Sequence, residues 1–145
     1  MIYFDGGCRG NQNADNVGGW GVVLEYKGHR KELYGSEQRT TNNKMELTGA
    51  IRALQALKTT DIPVEIHGDS AYVINGMTKW VAGWKKKKWK KSDGKQVENL
   101  QLWKYLDELS SMQENITWVK VKGHSDNEGN NRADELANIA MDEVN

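Results

Sequence analysis

Four acidic residues stand in separate segments of this 145-residue chain, each at the edge of an apolar pattern where a carboxylate gains nothing from packing. They are Asp5 in YFDGGCRGN, Glu46 in TTNNKMEL, Asp69 in IHGDSAYV and Asp134 in NNRADELAN. Taken singly, most have an ordinary structural explanation. Asp69 could cap the helix that follows its strand. Asp134 could favour the positive N-terminal end of its helix. Glu46 could complete a capping box with Asn43. Asp5 has the weakest excuse, because it falls inside or at the end of a central strand, where an unpaired charge is costly. Taken together, the four point to a divalent-metal site. Clustered carboxylates raise one another's pKa unless a cation lies among them. Mg²⁺ takes oxygen ligands and keeps several waters. Two such ions about 3.5–4 Å apart can activate a water and stabilise the leaving oxygen of an in-line displacement, which is phosphodiester chemistry.

The surrounding pattern must bring these acids together. Strands are expected over Met1–Cys8, Trp20–Tyr26 and Lys31–Glu37, with Lys27-Gly28-His29 as a hairpin turn. Thr41-Asn42-Asn43 starts a helix whose stripe is Leu47, Ala50, Ile51, Leu54 and Leu57. Glu46 lies in its first turns. A strand at Val64–Gly68, opened by Pro63, ends at Asp69, and Ser70 opens a short helix through Met77. Leu100, Trp103, Leu106 and Leu109 mark another helix, and Ile116–Val121 a further strand. The last helix carries the stripe Ala133, Leu136, Ala137, Ala140, Met141 and Val144, with Asp134 one residue off it near the N-terminal end. The fold class is therefore α/β: a five-stranded mixed sheet, antiparallel first and parallel afterwards, flanked by helices. In such sheets ligands gather beyond strand C-termini where the strand order switches.

The totals bound the alternatives. The chain is long enough for one domain, residues 1–145, with one buried core. Hydrophobic residues make up 37% and charged residues 28%, an ordinary globular balance. No apolar run reaches the roughly 20 residues of a membrane span, and MIYFDGGC does not read as a signal peptide. Cys8 is the one cysteine, which excludes an internal disulfide and a cysteine-based zinc site and fits a cytoplasmic setting. The net charge of zero hides an asymmetry: residues 79–95 carry +7 and the remainder −7. Such a local cationic patch can hold a polyanion. Trp80, Trp84 and Trp89 interleave its lysines, adding aromatic faces.

The segments DGGCRGN, TTNNKMEL, GDSAYV, VKGH and NRADELAN, in that order, resemble type 1 ribonuclease H over essentially the whole chain. The resemblance implies a ribonuclease H-like fold in the minimal one-domain bacterial form, monomeric and with no obligate protein partner. It implies an endonuclease that hydrolyses the RNA strand of RNA/DNA hybrids with two Mg²⁺ ions, Mn²⁺ being an alternative, leaving 5′-phosphate and 3′-hydroxyl ends. Asp5, Glu46, Asp69 and Asp134 would be the metal ligands, with Asp5 bridging both ions. His124, in VKGHSDNEGN, would assist proton transfer or product departure. Cys8, Asn11, Asn42, Asn43 and Glu46 would line the minor groove, where the 2′-hydroxyl marks RNA. Thr41 would sit in the pocket for a DNA phosphate. The segment WVAGWKKKKWKK would be a basic helical protrusion along the DNA strand, with Trp84 on a deoxyribose and Lys85, Lys86, Lys87 and Lys88 towards phosphates.

Two departures from the family pattern bear on RNA contacts. Ala71 follows Ser70 where many relatives have glutamine, and QNADNVGG replaces a run with Pro and Gly after GCRGN. Three rival readings remain at this stage. A silent hybrid-binding module would have no use for four intact acids. A DNA-acting integrase or resolvase would share the metal site but not TTNNKMEL or the protrusion. A detached end of a reverse transcriptase fits the self-contained length and the protrusion poorly.

Overall fold

The computed structural model describes residues 1–10, 16–123 and 127–144. Strands β1 (Ile2–Arg9), β2 (Val17–Tyr26) and β3 (His29–Gln38) come first, then helix α1 (Asn42–Gln55) and strand β4 (Val64–Gly68). Helix α2 (Ala71–Asn75) runs through a π-helical turn (Gly76–Trp80) into α3 (Val81–Lys86). Helix α4 (Leu100–Ser111), strand β5 (Ile116–Lys120) and helix α5 (Glu128–Asp142) complete the order. The sheet order is β3-β2-β1-β4-β5. The β1–β2 and β2–β3 pairs are antiparallel, whereas β1–β4 and β4–β5 are parallel. β1 is thus the strand at which the sheet changes character.

Alternation along β1 serves both faces. Ile2 and Phe4 enter the larger core cluster with Leu47, Ile51, Ile66 and Trp103, while Tyr3 joins a second cluster with Val23, Ala133 and Leu136 of α5. Asp5 is the next residue on the Tyr3 side, yet it is only 6% exposed. β2 runs three residues longer at its start than its apolar pattern suggests, and β1 is shifted by one residue, the two pairing out to Arg9↔Val17. Gly18 and Gly19 hide that extension, because glycine reads as a strand breaker. Their missing side chains have a use. A methyl at Gly19 would crowd Ala137 and Met141 of α5, and one at Gly18 would crowd Thr40 and Met45. The hairpin turn shortens to Lys27-Gly28, both with positive φ, and His29 pairs with Tyr26.

The second half of the molecule is less regular than its sequence pattern. The helix opened by Ser70 continues past Met77 as far as Lys86, because the π turn carries it into α3. Tyr72, Trp80, Trp84, Trp89 and Trp103 form a ladder of rings with neighbouring centroids 5.1–6.4 Å apart. Trp103 is fully buried, and its Nε1 donates to the Tyr72 hydroxyl at 2.9 Å. Asn99 Nδ2 donates to the same hydroxyl at 3.1 Å. This ladder ties the lysine-rich segment to the helix that starts immediately after Asp69 and Ser70.

Candidate active site

Parallel pairing sets two of the acids side by side. Tyr3 is opposite His67, so two residues further along each strand Asp5 comes level with Asp69. Asp69 follows the C-terminal end of β4, and Asp5 lies mid-strand in β1, the strand at which antiparallel pairing gives way to parallel. Glu46 arrives from α1 across the strand. A methyl group at Gly6 would overlap the Met45 carbonyl, so the absent side chain lets the α1 backbone lie directly on β1. Carboxylate oxygens of Asp5, Glu46 and Asp69 all lie within 4.8 Å of one another. Asp134 lies close enough to Asp5 for its carboxyl to raise the Asp5 pKa, but it is not one of the three mutually close carboxylates. Three of the four sequence-identified acids therefore share one cluster, and Asp134 adjoins it through Asp5.

Their structural explanations fail one by one. The hydroxyl that caps α2 belongs to Ser70, which accepts from Val73 N, so Asp69 is not the cap. The N-cap of α1 is Thr41, which accepts from Lys44 N at 3.1 Å, so Glu46 lies too far along to complete a capping box. Asp134 sits mid-helix in α5 rather than in the first turn, beyond the reach of the helix N-terminal charge. The N-terminal position expected from sequence was wrong because α5 begins at Glu128, capped by Asn127.

The electrostatics suit a cation. Burial, then the Asp69 charge and the Asp134 carboxyl, push the Asp5 carboxyl up to about 8. Burial, then Asp5 and Asp69, hold the Glu46 carboxyl well above the usual carboxylate range. Hydrogen bonds from the Gly6 backbone amide counter both effects in part. Glu46 Oε1 is buried with no hydrogen-bond partner. An orphaned carboxylate oxygen facing other carboxylates is satisfied by a proton or a cation between them. The donor set, all hard oxygens, fits Mg²⁺-type ions.

The other expected residues fall into three groups. Cys8 and Asn42 come together, the Cys8 amide donating to Asn42 Oδ1 at 2.8 Å. Asn43 and Thr41 are exposed on the same helix start, although the Thr41 hydroxyl is engaged as the cap. In the basic segment, Lys86, Lys87 and Lys88 are exposed, but Lys85 Nζ pairs with Asp107 at 3.1 Å. Trp84 is half-buried in the aromatic ladder, which limits how much of its ring is free for a sugar. Asn11 and His124 lie outside the described residues.

Sequence reasoning missed Asn16. Its buried amide clamps the turn before α1, with Nδ2 donating to Thr40 O at 2.8 Å and Oδ1 accepting from Thr40 N at 2.9 Å. An asparagine in a polar loop carries no local signal of such a role. Nor is the site the largest cavity. An apolar cavity of about 420 Å³ opens at the opposite end of β1, among Met1, Leu24, Tyr26, Leu57 and Pro63.

Comparison with known proteins shows the family of the chain. The RNase H family model matches residues 1–142. The ribonuclease H of Methylobacillus flagellatus is 53% identical over 143 residues, 99% of this chain and 91% of that protein. Among solved structures, LC9-RNase H1, described as a type 1 RNase H with the type 2 active-site motif, superposes with a TM-score of 0.85 at 34% identity, covering 99% of this chain and 72% of that one. LC11-RNase H1, solved in complex with an RNA/DNA hybrid, gives a TM-score of 0.70 at 28% identity, covering 99% and 96%. Among the described residues, no helix is long and apolar enough to cross a membrane.

Proposed function

The chain belongs to the ribonuclease H family, enzymes that cleave RNA in RNA/DNA hybrids, and from that premise we propose how its own residues do so. Asp5, Glu46, Asp69 and Asp134 hold two Mg²⁺ ions, with Mn²⁺ as an alternative. The observation that carries this reading is the orphaned Glu46 oxygen within a cluster whose Asp5 carboxyl is pushed up to about 8. Bound there, the ions would supply Lewis-acid activation of a water and stabilise the departing 3′ oxygen. Asp5, which neighbours both Asp69 and Asp134, would hold both ions. Asp69 and Asp134 would serve mainly one ion each, and Glu46 the other. His124 assists proton transfer or product departure, and the products carry 5′-phosphate and 3′-hydroxyl ends.

The hybrid's RNA strand is recognised through its 2′-hydroxyls from the minor groove. Asn42, Asn43, Cys8 and Asn11 line that groove. The hydrogen bond from the Cys8 amide to Asn42 supports the placement of two of them. Thr41 receives a DNA phosphate. Lys86, Lys87 and Lys88 face the DNA backbone. Lys85 contributes when it leaves Asp107, whose side chain is 18% exposed. The enzyme acts as a cytoplasmic monomer of one catalytic domain, with no obligate protein partner.

The reaction is tested with one end-labelled sequence prepared as RNA/DNA hybrid, RNA duplex and DNA duplex. Cutting of RNA only in the hybrid, dependent on Mg²⁺ and stopped by EDTA, is expected. Cutting of the DNA duplex would reject the reading. The basic segment has its own test. Replacing Lys86, Lys87 and Lys88 with Ala lowers the slope of log affinity against log salt by up to about 3, since fewer counterions are released. A slope equal to that of the unaltered protein would return those lysines to a solvated face.

A further inference from the structure

We infer that Gly123 is a positioning residue for the metal site: the chain leaving β5 lies against the Asp69 carboxylate and fixes its direction. This rests on the reading of Asp69 as a ligand. Three observations carry it. The last parallel pair, Gly68↔Lys120, is prolonged by a hydrogen bond from Val121 N to Gly68 O at 2.9 Å, so the segment after β5 starts anchored beside the residue preceding Asp69. Gly123 then comes so close that a Cβ built on it would stand 2.8 Å from Asp69 Oδ2 and 3.6 Å from its Cγ. The neighbours within 4 Å of that Cβ include nothing beyond the Asp69 side chain among its three nearest atoms. Gly123 is not in the left-handed region, so its lack of a side chain is not a backbone requirement.

The consequence follows from what can yield. The obstructed atoms are the far end of one side chain, not a backbone. An alanine at 123 is therefore accommodated by turning the Asp69 carboxylate, and the fold survives. That turn removes an oxygen from the cluster it shares with Asp5 and Glu46. Groups that orient a ligand typically alter metal affinity or activity by 10–100-fold when changed. Glycine at 123 serves the ion rather than the fold.

Gly123→Ala tests this by calorimetric Mg²⁺ titration, with thermal denaturation in EDTA alongside. The expected result is Mg²⁺ affinity roughly tenfold weaker, with a metal-free melting temperature close to that of the unaltered protein. In hybrid cleavage, half-saturating Mg²⁺ rises while KM for the hybrid is unchanged. Unaltered Mg²⁺ affinity would overturn the inference. A second measurement uses the unaltered protein and does not depend on the variant folding. The Gly123 backbone amide resonance is expected to shift during Mg²⁺ titration with the same midpoint as the binding heat. A resonance that stays in place while Mg²⁺ binds would also overturn it. Absence of any Mg²⁺ binding in the unaltered protein would instead reject the metal site itself.

Discussion

Replacing Asp5 with Asn is expected to abolish hydrolysis and, in the absence of metal, to make the protein more stable. Both effects come from one cause. Asp5 is buried in β1 beside Asp69 and Asp134, so its carboxyl is held up to about 8. Below about pH 4 both the folded and the unfolded chain carry this group protonated. Above that, the unfolded chain ionises freely while the folded chain keeps the proton until about 8. Stability therefore falls as pH rises through that window. Asn has the same shape and no charge, so it removes this dependence. At neutral pH in EDTA the gain is about 1–2 kcal/mol, within the range of single stabilising substitutions. Melting curves from pH 4 to pH 8 check it. A variant less stable than the original at neutral pH in EDTA would contradict the burial described for Asp5. Cleavage at an undiminished rate would remove Asp5 from the metal site.

Trp103→Ala is the largest expected loss of stability. Trp103 is fully buried on α4, edge-on to Trp84, tilted against Tyr72 and hydrogen-bonded to the Tyr72 hydroxyl. Gly76 in the π turn lacks a side chain where the Trp103 ring sits, so ring and turn are fitted to each other. Truncating a buried tryptophan costs about 3–5 kcal/mol. In a domain of this size that lowers the melting temperature by roughly 10–20 °C. Trp80, 38% exposed although it touches Tyr72 and Trp84, should tolerate alanine far better. Because the ladder carries the lysine segment, Trp103→Ala also weakens hybrid binding more than turnover of the bound complex. Urea denaturation and a cleavage titration check the two parts. A cost below about 1 kcal/mol would contradict the packing.

The order of elements along the chain and the mixed character of the sheet could be read from the sequence because both rest on local pattern. Each acid interrupts an apolar alternation or stripe, and each element around it keeps a clean period. The level match of Asp5 with Asp69 follows once β1 and β4 are known to pair in parallel. What could not be read depends on contacts distant in sequence. Nothing in GGC reveals that Gly6 admits the α1 backbone, or that this brings Glu46 within reach. Asn16 was hidden for the same reason, since its partner Thr40 lies beyond a whole hairpin. The start of β2 was obscured by glycines that α1 and α5 require. The lysine segment was read by its charge, but its attachment depends on a tryptophan that periodicity marked only as core.

Calorimetric titration with Mg²⁺ at neutral pH, in two buffers of different ionisation enthalpy, tests the central claim most directly. Asp5 and Glu46 hold raised pKa values in the metal-free protein, so an ion entering among them must displace protons. The expected result is saturable binding whose heat differs between the buffers by the proton release, with that release diminished in Asp5→Asn. Binding heats that are identical in the two buffers, or that survive Asp5→Asn unchanged, would place Mg²⁺ elsewhere and contradict the carboxylate cluster as the metal centre.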